Sequence, residues 1–242
     1  MARTPKPRGY PLTIEILAEY RDAALANARS LCAEAKLLLD ANHHARAYFL
    51  AVAAIEETGK AVQASDGIGR NLSDPAVRTK LQTQFADHSN KITSAFIPSV
   101  IVSKNLRSVL ASLIEVAVHV TNGREPSMYT DLVDDGARVT SPANLVRPIS
   151  SNSCVELAHD LLAQTTTYVL TRTPTSTTWL QDRFFALNQK TFLKLANTAD
   201  FWEYYISRAE AGSLASEEAA TEYHDNYFSK GKTYRPNGES GA

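Results

Sequence analysis

The chain has 242 residues, of which 44% are hydrophobic and 21% are charged, the composition of a globular protein with a sizeable core and not of a disordered chain. Its 25 basic and 26 acidic residues leave a net charge of −1, which excludes a strong global attraction to nucleic acid or anionic membranes but leaves a local basic face open. Two isolated cysteines, Cys32 and Cys154, favour buried thiols in a reducing compartment over a disulfide framework.

The N-terminal segment 1–10 is basic, and no apolar segment follows it. It therefore lacks the pattern of a secretory signal, and we expect it to be a flexible tail. The longest purely apolar run, residues 48–55, is too short to span a bilayer. These features predict a cytoplasmic protein that has no membrane partner.

Apolar residues at steps of three and four predict a first long helix that begins at Thr13 and ends at Asp40. A short break follows at residues 41–43, where an Asn is available as a cap. The second helix is predicted over residues 44–64, and the Gly-containing segment 65–69 should end it.

The segment 73–75, Ser-Asp-Pro, is a typical start signal for a third helix. We expect this helix to continue through Ile92, which places Phe85 and His88 on one apolar face. A fourth amphipathic helix is predicted over residues 104–120. Together these four helices predict one α-helical bundle.

The rest of the chain is predicted to contain one long loop and further helices. In chain order these are a loop with a small hairpin at about 122–149, a fifth helix at 151–170, a linker at 171–178, a sixth helix at 178–209 and a short helix at 216–228. The predicted domains are accordingly a tail at 1–10, a bundle at 11–171, a C-terminal helical extension packed on the bundle at 172–229, and a disordered tail at 230–242.

A polar cluster interrupts the second helix directly after eight apolar residues. It reads Glu56-Glu57-Thr58-Gly59-Lys60, and Glu56 and Lys60 have the spacing of an intrahelical ion pair. A Gly inside a helix costs about 1 kcal/mol relative to Ala, which is easiest to understand if another backbone packs closely there. The simpler interpretation, which this segment alone favours, is a solvated helix end.

Two further segments carry residues that could do chemistry. His88 lies on the predicted apolar face of the third helix, with Lys91 about one turn further on. A single His on such a face is more often a core residue than a catalyst, but beside carboxylates it could carry a proton near neutral pH. The loop 124–136 contains Tyr129 and Asp131, which could reach a cleft at the end of the bundle, and its Asp-Gly pair is typical of a turn.

These segments resemble the motifs of one family. Residues 48–60 resemble the second-helix signature of the AbiV group of HEPN proteins, an apolar helix that runs into Glu-Glu-x-Gly-Lys. Residues 87–91, Asp-His-Ser-Asn-Lys, resemble the His-x-x-Lys stretch one helix later. Residues 128–131, Met-Tyr-Thr-Asp, resemble the Leu-Tyr-x-Asp segment after the fourth helix. The three motifs stand in the order of the family over about residues 12–170.

The resemblance implies an all-α, HEPN-like bundle with additional C-terminal helices and a role in abortive infection, a bacterial defence against phage. Many HEPN proteins are dimeric, metal-independent ribonucleases whose catalytic motif is Arg, four to six residues, then His. No Arg of this chain stands at that distance before a His, since nine residues separate Arg78 from His88 and eleven separate Arg107 from His119. RNA cleavage is therefore an open question for this chain.

The resemblance also places the candidate site between the second and third helices. The catalytic candidates are His88, Glu56 and Glu57, in which the carboxylates would set the charge of the imidazole. The candidates for binding RNA or another anionic ligand are Lys60, Lys91, Arg46, Tyr129 and Asp131. We expect a homodimer that responds to a phage component, with RNA as a further partner and with neither a metal nor another cofactor.

Two other function classes fit the sequence. The bundle could be a non-enzymatic module that binds a partner protein, with the polar motif holding two helices together. Alternatively, Glu156 and His159 have the Glu-x-x-His spacing that puts both on one helical face in di-iron bundles. A di-iron oxidoreductase needs a second such pair and two more carboxylates, and only one pair is present.

Overall fold

The computed structural model describes residues 11–102, 116–133, 136–172, 174–187, 191, 194–195, 197–211 and 216–235. Helices make up most of this part of the chain, and its strands form one two-stranded sheet, which confirms the all-α prediction. No helix among these residues is long and apolar enough to cross a membrane. The predicted tail at 1–10 and most of the predicted fourth helix lie outside the described residues.

Three long helices, α1, α2 and α8, and several shorter elements make up the described chain. The elements up to residue 171 are α1 (Ile14–Asp40), α2 (His44–Ile68), α3 (Pro75–Ala86), α4 (His88–Ala95), α5 (Ile97–Val102), α6 (116–123), β1 (Asp131–Val133), β2 (Arg138–Thr140), α7 (Pro142–Leu145) and α8 (Pro148–Thr171). Those that follow are α9 (Trp179–Ala186), α10 (Ala199–Glu210), α11 (Ser216–Asn226) and a 3₁₀ turn (Phe228–Lys230).

The chain forms two compact units. Unit 1 comprises the described residues within 1–68 and 81–174, and unit 2 those within 69–80 and 175–242. The sequence pattern assigns residues 69–80 to the bundle, whereas they cluster with the C-terminal helices. The predicted packing of the C-terminal extension on the bundle stays a prediction.

Local capping sets the ends of α1. The Thr13 hydroxyl accepts a hydrogen bond from the backbone N–H of Ile16 at 3.2 Å, and Glu15 lies in the first turn, where a negative charge favours the helix dipole. After Asp40 the chain reverses through Asn42, whose φ of +61° lies in the left-handed region that Asn tolerates. The predicted break at 41–43 is thereby confirmed.

Helix α2 lies at the centre of unit 1 and packs against α1, α4 and α8. It is buried on most of its surface, and alanines at several contact positions let its neighbours approach closely. The large apolar side chains of this core include Tyr48, Val52, Ile55, Ile92 and Leu161. Both cysteines are buried as free thiols, as predicted, and burial raises the pKa of Cys32 to about 11.

The predicted third helix is wrong as a single element, because the structure divides it at Asp87. This residue has extended backbone dihedrals, and its Oδ1 accepts the backbone N–H of Asn90 at 2.8 Å. An Asp side chain that caps a new helix competes with continuation of the old one, so α3 ends at Ala86 and α4 begins at His88. His88 is therefore the first residue of a helix and not a mid-helix core residue.

Other predicted boundaries also shift. Helix α2 runs to Ile68 and not to residue 64, because a Gly inside a well-packed helix does not end it. The predicted sixth helix is not continuous in the described residues, because Leu187 leaves helical geometry after α9. The small hairpin is confirmed, with Leu132 opposite Val139 across β1 and β2, and α8 matches the predicted fifth helix.

Unit 2 contains a buried, hydrogen-bonded carboxylate and an aromatic core of its own. Asp182 is buried and accepts the backbone N–H of Asn71 at 2.9 Å and the Thr177 hydroxyl at 2.7 Å. The aromatic core is formed by Phe201, Tyr204, Tyr223, Tyr227 and Tyr234. Burial and the Asp200 carboxylate raise the pKa of Tyr223 to about 12.

Gly59 marks the closest approach of α2 to α4. A Cβ at this position would lie 1.7 Å from the backbone oxygen of Lys91 and 3.2 Å from the backbone nitrogen of Ala95. Any side chain would push the two helices apart, because both clashing groups are backbone. The solvated helix end, which this segment alone favours, is therefore wrong, and the alternative of a closely packed backbone is the arrangement that the structure has.

We expect Gly59→Ala to lower the free energy of unfolding by about 2 kcal/mol or more, since it overpacks a contact between two helix backbones. Gly67→Ala is the matched control on the same helix, where a Cβ would meet only flexible Leu side chains at 3.1 Å and beyond. There the higher helix propensity of Ala offsets the crowding, and we expect a change within about 1 kcal/mol. Urea unfolding of both variants measures these changes in the free energy of unfolding. Equal losses for Gly59→Ala and Gly67→Ala would contradict the close approach of α4 to α2.

Candidate functional site

The close contact of α2 with α4 brings three of the predicted site residues together. Glu56 faces α4 from the buried side of α2, while His88 opens α4 and Lys91 lies one turn later. The Glu56 Oε2 atom is 2.7 Å from His88 Nδ1 and 3.1 Å from Lys91 Nζ. The same Lys91 Nζ is 3.3 Å from His88 Nδ1. One carboxylate oxygen therefore serves both basic groups.

A third basic group reaches the same carboxylate from another part of the chain. Arg124 directly follows α6, and its Nε lies 2.7 Å from Glu56 Oε1. The turn that carries it is fixed by Ser127, which is fully buried and whose hydroxyl donates to the Arg124 backbone oxygen at 2.6 Å. A second guanidinium nitrogen of Arg124 pairs with Glu125. We call Glu56, His88, Lys91 and Arg124 the Glu56 cluster.

Sequence reasoning missed Arg124 as a site residue. The loop 124–136 is a candidate on sequence grounds for Tyr129 and Asp131 and not for its first residue. An Arg next to a helix-ending Gly is ordinary in sequence, and its partner is far away along the chain. The only signal was indirect, because a buried Glu requires nearby positive charge.

The electrostatics of the cluster depend on the buried carboxylate. Glu56 and Lys91 are 6% and 5% exposed, so neither is well solvated by water. Burial alone raises the pKa of Glu56, but the hydrogen bond from His88 and the charges of Lys91 and His88 outweigh it and hold this pKa below its ordinary value. Glu56 is therefore ionised at neutral pH.

His88 is the member of the cluster that is open to solvent. Its side chain is 53% exposed, whereas that of Glu56 is 8% exposed. Since the ionised carboxylate can only accept, Nδ1 carries the proton of that contact. Nε2 is then the ring nitrogen that is left to exchange a proton with a ligand, and the carboxylate fixes the orientation of the ring.

The other predicted site residues lie apart from this cluster. Glu57 pairs instead with Lys60, with Oε1 at 2.5 Å from Nζ. Arg46 is exposed near the start of α2, about 15 Å along the axis from Glu56 at 1.5 Å per residue. Tyr129 and Asp131 are exposed, and within the described ranges no hydrogen bond or ion pair joins either to Glu56.

The Glu156–His159 pair gains no further ligands from the fold. Both residues are exposed on α8, and Glu156 Oε1 accepts a hydrogen bond from Asn152 Nδ2 at 2.8 Å. Among the residues that the structure describes, no group of three or more His, Cys, Asp or Glu side chains could hold a metal ion.

A family model described as AbiV, from the HEPN group, matches residues 16–163. The matched range contains every member of the Glu56 cluster. No curated protein and no solved structure matches the chain.

Replacing the central carboxylate tests how far the cluster holds the fold together. Glu56→Gln leaves Lys91 buried without its countercharge, and removing one partner of a buried pair typically costs about 3 kcal/mol or more. Glu57→Gln is the matched control, because it removes a neighbouring carboxylate whose partner is the more exposed Lys60, and its effect should be no more than about 1 kcal/mol. Urea unfolding at neutral pH compares the two. A smaller loss for Glu56→Gln than for Glu57→Gln would argue against the cluster.

The lowered pKa of Glu56 also predicts how stability depends on pH. The unfolded chain protonates this carboxyl near its ordinary value of 4.5, whereas the folded chain does so only at lower pH. The stabilisation of the folded state by ionised Glu56 is therefore fully present above pH 4.5 and is lost as pH falls through the folded-state pKa. The free energy of unfolding should be measured between about pH 7 and about pH 3, and the difference between wild type and Glu56→Gln should become smaller as the pH falls. A difference that stays constant would contradict the lowered pKa of Glu56.

Proposed function

Because the chain belongs to the AbiV family of HEPN proteins, as the match over residues 16–163 shows, its function is of the abortive-infection type, and we propose that it halts host gene expression by acting on RNA. We further propose that the Glu56 cluster is the site of this action. The observation that carries the proposal is a buried carboxylate that orients a half-exposed imidazole and also contacts Lys91 and Arg124. This is the set of groups that metal-independent cleavage of a phosphodiester needs.

In this proposal His88 exchanges protons with the RNA. As a base its Nε2 takes the proton of the ribose 2′-hydroxyl, whose oxygen attacks phosphorus while the bond to the 5′-oxygen breaks. The returned proton goes to that leaving oxygen. Glu56 holds Nδ1 at 2.7 Å and stabilises the imidazolium that forms between the two transfers.

The cations supply the charge that the phosphate requires. Lys91 and Arg124 carry one positive charge each and Glu56 carries one negative charge, so these three groups leave an excess of positive charge beside His88. A second guanidinium nitrogen of Arg124 pairs with Glu125, which offsets part of this positive charge. An excess positive charge at this point favours both phosphate binding and the extra negative charge of the transition state. Arg124 and His88 contact the two oxygens of Glu56 from separate segments, and in this proposal they take the place of the Arg-x₄₋₆-His pattern that the sequence lacks.

A non-enzymatic interaction module remains the second candidate. It is favoured by the burial of Glu56 and Lys91 and by the contact at Gly59, which show that the same cluster joins α2 to α4. A bundle held in this way could present a fixed surface to a protein partner. Homodimerisation and a phage component as the trigger, which the family resemblance implies, are part of the proposal in either case.

The two candidates differ in what His88→Ala does. Under the RNA proposal the variant loses about 100-fold or more of the cleavage of total RNA, since general acid–base catalysis supplies at least that much. Its melting temperature falls less than that of Glu56→Gln, because Glu56 keeps Lys91 and Arg124. His159→Ala is the matched control, a surface His of the same unit, and it should cleave as wild type does.

Gel and sequencing readouts of purified protein incubated with total RNA measure this. Equal cleavage by wild type and His88→Ala would remove His88 from the mechanism. If neither protein cleaves RNA and His88→Ala lowers the melting temperature as much as Glu56→Gln does, the interaction module is the better explanation.

A further inference from the structure

Arg124 lies between two carboxylates that differ in their exposure to solvent. Its Nε atom is 2.7 Å from Glu56 Oε1, and its Nη1 atom pairs with Oε1 of the neighbouring Glu125. The side chain of Glu56 is 8% exposed, whereas that of Glu125 is 66% exposed. Water can therefore replace Arg124 as the partner of Glu125, but it cannot do so for Glu56.

Glu125 decides the net charge of the ion pairs around Arg124. Lys91 and Arg124 carry two positive charges, and Glu56 and Glu125 carry two negative charges, so these four side chains sum to zero. Without Glu125 the sum is one positive charge. An anion that approaches Arg124 is therefore attracted to it only after the Glu125 carboxylate has moved away.

The backbone of the turn is held without help from the Glu125 carboxylate. The backbone oxygen of Glu125 accepts the N–H groups of Met128 at 3.0 Å and Tyr129 at 3.1 Å. The buried Ser127 hydroxyl donates to the Arg124 backbone oxygen at 2.6 Å. These contacts fix the position of Arg124, so removal of the carboxylate changes the charge of the turn and leaves its backbone in place.

A phosphate is suited to take the place of this carboxylate. An ion pair with an exposed partner contributes little free energy, because water and salt screen it. A guanidinium binds phosphate oxygens with the same planar geometry that it uses for a carboxylate. The Glu125–Arg124 pair is therefore weak enough to be displaced by a phosphate, yet it opposes phosphate binding until it is broken.

We propose that Glu125 restrains RNA binding at the Glu56 cluster. It pairs with Arg124 in the free protein and is displaced when a phosphate of the RNA binds there. Glu125 acts through Arg124 and takes no part in proton transfer, so it is a positioning residue and not a catalytic one. This inference rests on the proposed function, since it names the residue that limits the affinity of that site for RNA.

Fluorescence anisotropy with a short, labelled, single-stranded 2′-O-methyl RNA measures the binding step alone, because this RNA lacks the 2′-hydroxyl that the proposed cleavage needs. Glu125→Gln should bind it about threefold to fivefold more tightly than wild type at low salt. This gain should disappear as the salt concentration rises, since the effect is electrostatic.

Glu156→Gln is the matched control for net charge. It removes one negative charge from an exposed side chain of the same unit, and it should bind the RNA as wild type does. In the background of Arg124→Gln, the further change Glu125→Gln should give a smaller gain than in wild type, because the residue through which Glu125 acts has been removed.

Cleavage kinetics with unmodified RNA separate this role from a structural one. Glu125 is displaced once RNA is bound, so Glu125→Gln should lower KM and leave kcat unchanged. Its melting temperature should stay that of wild type, because no buried contact is lost. A merely structural role would instead lower kcat and the melting temperature together.

The possible outcomes separate this inference from the proposed function. Equal RNA affinity of wild type and Glu125→Gln, or an equal gain for Glu156→Gln, would overturn the inference and leave the proposed RNA function standing. The absence of RNA binding by wild type and every variant would overturn both. Tighter binding by Glu125→Gln, together with no cleavage of unmodified RNA by either protein, would support the inference and remove the cleavage step alone.

Discussion

The burial of the Glu56 carboxylate is the constraint on which the rest of unit 1 depends. An isolated carboxylate at this depth would be strongly destabilising, and only close positive groups offset its loss of water. The chain provides them from two further places, the start of α4 and the turn after α6. One side chain on α2 therefore fixes the positions of two other elements, and the groups that offset its charge are also those that could act on a phosphate.

Close packing makes this charge arrangement possible. Lys91 reaches Glu56 at 3.1 Å only because α4 approaches α2 until backbone meets backbone at Gly59. The buried hydrogen bond from Gln63 Nε2 to Ser94 Oγ, at 3.0 Å, holds the same pair of helices one turn further on. Packing and electrostatics are thus coupled, since a larger residue at position 59 would separate the charges as well as the helices.

Much of the fold is predictable from the sequence, because helical periodicity, the Thr13 cap and the break at Asn42 are local signals. The convergence of Glu56, His88 and Lys91 is predictable too, although partly for a wrong reason. The apolar periodicity assigns His88 to the face of one long helix, whereas Asp87 starts a new helix and brings the ring to the surface. Arg124 could not be predicted, since nothing near it in sequence indicates its partner. The catalytic and binding roles of these residues stay predictions.

The turn after α6 contacts α2 at two places. Gly123 packs against Tyr48, since a Cβ there would lie 2.3 Å from the hydroxyl oxygen, and the next residue is Arg124, which pairs with Glu56. Tyr48 and Glu56 are separated by about 12 Å along α2, so the end of α6 contacts this helix at both places. Because Arg124 balances the buried charge of Glu56, a shift of the 123–124 turn would change the electrostatic environment of His88.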